Sequence, residues 1–148
     1  ALLFASARAD HVSRMIRPAL ERGEIVLCDR FVDSSVAYQG AGRGLGTEHV
    51  LELNHWALQG LVPQLTVVLA VAPATAESRR LHRGVAVDRM EAEDRAFHHA
   101  VNAAFLELAA RSPERYLVLD AAEPVEAITR AVAARVAPLL PGTPGGAL

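Results

Sequence analysis

A chain of 148 residues is the length of one ordinary domain, and 51% hydrophobic with 22% charged residues is a globular rather than a disordered composition. Its formal net charge of −2 gives no electrostatic reason to expect a nucleic-acid polymer or an anionic membrane as partner. A single cysteine, Cys28, rules out an internal disulfide framework and fits a reducing, cytoplasmic setting, and no apolar run approaches the ~20 residues that span a bilayer.

Two further features stand out. All fifteen basic residues are arginine. The sequence also opens at Ala1 inside a helical pattern, which reads as a piece of something longer.

From Ala1 to about Arg22, apolar residues recur at Leu3, Phe4, Ala7, Val12, Met15, Ile16, Ala19 and Leu20, the period of an amphipathic helix. Pro18 is expected to bend or end it, and Gly23 to stop it. The short apolar run 25–28 follows, then a longer one from Leu65 to Val71 and a third from Tyr116 to Leu119. Runs without polar alternation are the pattern of strands in a parallel sheet covered on both faces. Helices are expected from Thr47, as cap, to about Leu58, from Pro73 to about Arg83, from about Ala92 to Arg111, and from Pro124 to about Leu140. Strands alternating with helices predict an α/β fold with a parallel sheet. We read one domain over 1–140 and a disordered tail over 141–148, rich in proline and glycine.

In such a fold ligands bind beyond the carboxyl ends of the strands. Asp29 and Arg30 follow the first run; a guanidinium there can hold phosphate in a bidentate manner, and a carboxylate can position a metal-bound water. Standing alone, the pair would read equally well as a surface ion pair. It is followed at once by Ser34, Ser35, Tyr38, Gln39 and the glycine-rich segment from Gly40 to Gly44. Hydroxyl, phenol and amide groups gathered past a strand end suit recognition of a sugar and a base, and a polar turn is the plainer alternative. The histidines, among them His98 and His99, have no metal-ligand spacing, and no G-x-S-x-G elbow supports a serine hydrolase.

Three segments, LLFASAR near the start, DRFVDSSVAYQGAGRGL from Asp29, and RRLHRGVAVDRMEAED from Arg79, together resemble successive signatures of bacterial thymidylate kinases. The resemblance runs from Ala1 to about Leu140. It implies a P-loop nucleoside-monophosphate-kinase-like sheet with flanking helices, ATP and Mg²⁺ as cofactors, dTMP as acceptor, and a homodimer when full length. It implies that Phe4 stacks on the thymine and Arg8 reaches its carbonyl edge. Ser35 and Gln39 would contact the base with Ser34 beside them, and Tyr38 would pack where a 2′-hydroxyl would clash. Phe4 and Tyr38 also fit purely structural roles. Asp29 would lie near the magnesium through water, and Arg30 would bind phosphate oxygens between donor and acceptor. Arg79 and Arg83 would sit on a lid over about 79–91 that closes on the ATP phosphates, and Ala121 and Ala122 on a loop passing the adenine.

The same resemblance implies a P-loop and strands that precede the first run. No G-x-x-x-x-G-K-[ST] occurs here, so the chain by itself is expected to be marginally folded and inactive, with activity belonging to the full-length enzyme. Two other readings stay open: a related deoxynucleoside or nucleotide kinase, and a non-catalytic module that binds a nucleotide or a protein partner.

Overall fold

The computed structural model describes residues 1–71 and 89–140, the side chains of 89–94 excepted. The chain forms two compact units, one from Ala1–Val62 with Ala92–Phe105, the other from Pro63–Glu91 with Leu106–Leu148. The expected helix from Pro73 and the expected tail lie outside the described residues.

The first unit is helical. Helix α1 (Leu2–His11) passes through a wide π turn, Val12–Ile16, into α2 (Arg17–Glu21). Pro18 was expected to interrupt this segment, and the wide turn is how the helix continues instead. Proline has no N–H to donate and crowds the carbonyl four residues back. One extra residue per turn moves that carbonyl away, and the Arg17 N–H bonds to the Val12 carbonyl, five residues back. Gly23 does stop the helix: its φ is +77°, and the Gly23 and Glu24 N–H groups close onto Leu20 and Ala19 at 2.9 and 3.0 Å.

The run 25–28, expected as a strand, is not one. Its backbone has no regular structure, and Leu27 is 98% exposed. A strand exists through the N–H and C=O groups of a neighbour. Among the described residues none is paired with this segment, so its apolar character alone does not make it β.

Beyond it, α3 (Val32–Ser35) runs into a second π turn, Val36–Gly42, and then α4 (Thr47–Ala57) begins. Thr47 is the first residue of α4 rather than its cap. Gly46 takes the cap position because its φ of +85° is open to glycine, and its carbonyl accepts the Val50 N–H at 3.2 Å. The α3 and π segments pack on α4, and α1 packs on α4 as well. The core of the unit includes Ala37, Val101 and Ala104, with Tyr38, Phe97 and Phe105 packed around them. Phe97, Val101 and Ala104 recur at helical spacing along α5 (Arg89–Arg111).

In the second unit, β1 (Thr66–Ala70) and β2 (Tyr116–Asp120) pair in parallel, Thr66 opposite Tyr116 and Ala70 opposite Asp120. Parallel neighbours need a crossover, and α5 lies between them in the chain. The second and third apolar runs are therefore the strands the sequence predicts. Helix α6 (Val125–Val136) packs on β2 and ends in a short 3₁₀ turn, Ala137–Leu139. Pro124 precedes α6 as its cap, with ψ of 142°, rather than sitting inside its first turn.

Candidate active site

Of the polar residues singled out after the first run, Ser35 meets a guanidinium from the first helix, and all of them lie in the helical unit. Arg8 projects from α1 one turn after Phe4. Its Nη2 donates to Ser35 Oγ at 2.9 Å, and its Nη1 donates to Asn54 Oδ1. Ser35 on α3 is only 3% exposed and Asn54 on α4 only 1%. The Asn54 amide is itself held, because its Nδ2 donates to the Val50 carbonyl at 2.7 Å. The Phe31 ring lies against the guanidinium, with 5.6 Å from Arg8 Cζ to its centroid. Burial draws the Arg8 pKa below the ordinary guanidinium value, while the negative charge of Asp33 opposes that shift. Arg8 nonetheless stays charged at any physiological pH.

A second arginine-aromatic pair stands close along the chain. Arg30 Cζ lies 4.6 Å from the Tyr38 ring centroid, a cation–π distance. Arg30 also has a φ of +63°, the left-handed region that costs a side-chain-bearing residue about 1 kcal/mol. The backbone thus spends stability to turn this guanidinium over the phenol. Tyr38 in turn meets Phe97 and Phe105 edge to face at 5.9 and 6.5 Å between centroids, and Arg43 Cζ lies 5.1 Å from the Phe97 centroid. The tyrosine is therefore wedged between α5 and Arg30, half-buried, and its ring cannot swing freely.

Of the residues named from sequence, Arg8 and Ser35 are hydrogen-bonded to each other, and Arg30 and Tyr38 are stacked. Phe4 is 59% exposed among these residues. Asp29 is exposed, while Ser34 and Gln39 are half-buried. Ala121 and Ala122 lie in the other unit, in the turn after β2: the Ala121 N–H bonds to the Ala70 carbonyl at 2.7 Å and the Ala122 N–H to Asp120 Oδ1 at 2.8 Å. Arg79 and Arg83 lie outside the described residues.

Sequence reasoning missed Asn54, Phe31 and Phe97. The signal for Asn54 was present: Val50, Asn54 and Leu58 are spaced by four, and all three are buried. A polar amide on the apolar stripe of a helix needs a partner. Among the described residues, no group of three or more His, Cys, Asp or Glu side chains could hold a metal ion. A lone exposed carboxylate, Asp29, fits an ion that arrives with nucleotide phosphates and keeps most of its waters, as magnesium does, rather than a resident metal centre. No helix among the described residues is long and apolar enough to cross a membrane.

One unit holds a parallel strand pair with a helix packed on it, and the other holds arginines and hydroxyls beside aromatic rings; both features are at home in α/β nucleotide-binding proteins. The comparisons with known proteins agree on one family. The sequence model of the thymidylate kinase family matches residues 1–132. The chain is 52% identical over 136 residues to the thymidylate kinase of Leifsonia xyli subsp. xyli, covering 92% of this chain and 64% of that protein. It is 47% identical over 141 residues to that of Symbiobacterium thermophilum, covering 95% and 65%. The crystal structure of thymidylate kinase from Ehrlichia chaffeensis superposes with a TM-score of 0.63 at 29% identity, over 81% of this chain and 55% of that one. The chain belongs to the thymidylate kinase family and has its α/β, P-loop-kinase-like fold. It spans about two thirds of the length of the curated relatives it matches.

Proposed function

We propose that the whole protein transfers the γ-phosphoryl group of ATP to dTMP, giving dTDP and ADP. The observation that carries this reading is the partly buried Arg8–Ser35–Asn54 cluster, a donor-only guanidinium fixed by two acceptors one helical turn from an exposed aromatic residue, Phe4. Such a group suits the carbonyl edge of a base, and the aromatic face suits stacking. In this reading Ser34 and Gln39 line the base, and Tyr38 fills the space a 2′-hydroxyl would need.

The acceptor is already an anionic phosphate, so no strong general base is required, and catalysis rests on alignment and charge neutralisation. Arg30 holds phosphate oxygens between donor and acceptor. Arg79 and Arg83 bring further positive charge onto the transferred group as it leaves ADP, and Ala121 and Ala122 border the adenine through backbone groups. Asp29 would hold magnesium through water, and the ion would supply positive charge that offsets the charge of the phosphates. The family resemblance supports a homodimer, the single cysteine fits a cytoplasmic enzyme, and the net charge of −2 gives no electrostatic reason to expect a nucleic-acid polymer or an anionic membrane as partner.

The test is ADP release by the purified full-length protein with dTMP, dUMP, dCMP and thymidine as separate acceptors. Turnover with dTMP well above the rest is expected. Preference for thymidine would make it a deoxynucleoside kinase, and dTMP binding without ATP consumption would make it a binding module.

A further inference from the structure

We propose that Asn54 is a positioning residue that sets base selectivity: it fixes the Arg8 guanidinium so that the site accepts a pyrimidine edge offering a carbonyl and refuses one offering an amino group. The inference rests on the reading of Arg8 as the base-edge contact, and it concerns a residue that the sequence motifs leave out.

Asparagine in mid-helix is a poor helix former. At a position 1% exposed, with buried Val50 and Leu58 four residues to either side, leucine would serve packing better. The amide is there for its hydrogen bonds. Its NH₂ group donates to the Val50 carbonyl at 2.7 Å, and a carbonyl cannot donate in return. The amide is therefore locked against a flip, and its oxygen must face Arg8, whose Nη1 it accepts. Ser35 Oγ accepts from Nη2 at 2.9 Å, so both terminal nitrogens are anchored on separate helices, α4 and α3. Phe31 covers one face of the group. A guanidinium on a flexible stem thereby acquires a defined plane.

Each anchored nitrogen keeps a second N–H, and Arg8 has no acceptor anywhere on its head group. A carbonyl oxygen on a base edge satisfies those donors. An amino group in the same place meets donors with donors and leaves both unpaired in a partly buried site. Sites built on this contrast discriminate far more strongly than sites that sense size alone. Without Asn54 the guanidinium would turn, and the contrast would weaken.

The experiment compares steady-state kinetics for dTMP and dCMP, and melting temperature, in the full-length protein and its Asn54→Leu, Asn54→Asp and Ser35→Ala variants. For Asn54→Leu the KM for dTMP should rise about tenfold with kcat within about threefold of wild type, and the dTMP-over-dCMP ratio of kcat/KM should fall about tenfold. Asn54→Asp keeps an oxygen toward Arg8, so it should restore the ratio to within about threefold even though its second oxygen faces the Val50 carbonyl and lowers the melting temperature. A purely structural role would instead move melting temperature in both variants and leave selectivity alone. An unmoved ratio in folded Asn54→Leu overturns the inference. Should that variant not fold, Ser35→Ala decides: loss of the second anchor should lower the ratio at least about threefold, and an unchanged ratio overturns it. Wild-type protein that phosphorylates dTMP while no variant shifts selectivity refutes this inference alone; wild-type protein that does not phosphorylate dTMP takes the parent reading down with it.

Discussion

Arg30 and Tyr38 illustrate how a side chain can be held over an aromatic ring at a cost in backbone energy. The positive φ of Arg30 costs about 1 kcal/mol, and its position over the Tyr38 ring returns an amount of similar size. Replacing it by glycine removes both, so Arg30→Gly should change unfolding free energy by less than about 1 kcal/mol in a urea titration. On the proposed role of Arg30, phosphoryl transfer by the full-length protein carrying the same variant should fall by about a thousandfold, because a guanidinium on the transferred group would be lost. A stability loss of several kcal/mol would instead make Arg30 a structural residue. Tyr38 carries a different expectation. Its ring is wedged against Phe97 and Phe105, and Tyr38→Phe should keep both the wedge and the preference for dTMP over its ribonucleotide. Tyr38→Ala should weaken that preference about tenfold, read from kcat/KM on the two acceptors. An unchanged preference in Tyr38→Ala would detach it from the sugar.

The segment from Val32 to Gly46 is legible at the level of elements only in part. Its polar and glycine-rich composition marks it as a site, but it reads as a loop, whereas α3 and a π turn carry Ser34, Ser35, Tyr38 and Gln39 on helical backbone. Glycine is what lets this element approach α4. A Cβ on Gly40 would stand 3.0 Å from the Thr47 Cα and 3.3 Å from the Gly46 carbonyl oxygen. Those are backbone atoms, which cannot swing aside. Gly40→Ala should therefore cost about 1–3 kcal/mol of unfolding free energy. Because Gln39 precedes Gly40, it should also raise the KM for dTMP, while Gly44→Ala, which strains the backbone at a φ of +69° but meets no neighbour, should leave KM unchanged. Equal effects at the two glycines would mean that close approach is not what the site requires. The run 25–28 marks the opposite limit. Its residues have β character, yet a strand is a property of two chains in register, and single-sequence pattern does not supply the second.

For the whole molecule the exposed apolar surface is the leading feature. Leu3, Phe4, Ile25, Leu27 and Trp56 are all largely solvent-exposed, and the described sheet has two strands. Surfaces of that kind drive association. The 148-residue chain on its own should bind a hydrophobic dye and self-associate with rising concentration in sedimentation velocity; a monodisperse, dye-silent monomer would contradict this. The sequence by itself determined the α/β class, the two paired strands to within a residue or so at each end and most of the described helices, because periodicity and local chemistry are written in nearest neighbours. Only the tertiary structure decided that Asn54 and Ser35 share the Arg8 guanidinium, that Phe97 backs Tyr38, and that 25–28 pairs with no strand among the described residues. The contacts among these join residues distant in the chain: 27 apart for Arg8 and Ser35, 46 for Arg8 and Asn54, and 59 for Tyr38 and Phe97. Contacts at that range are set by how helices pack, which no local pattern encodes.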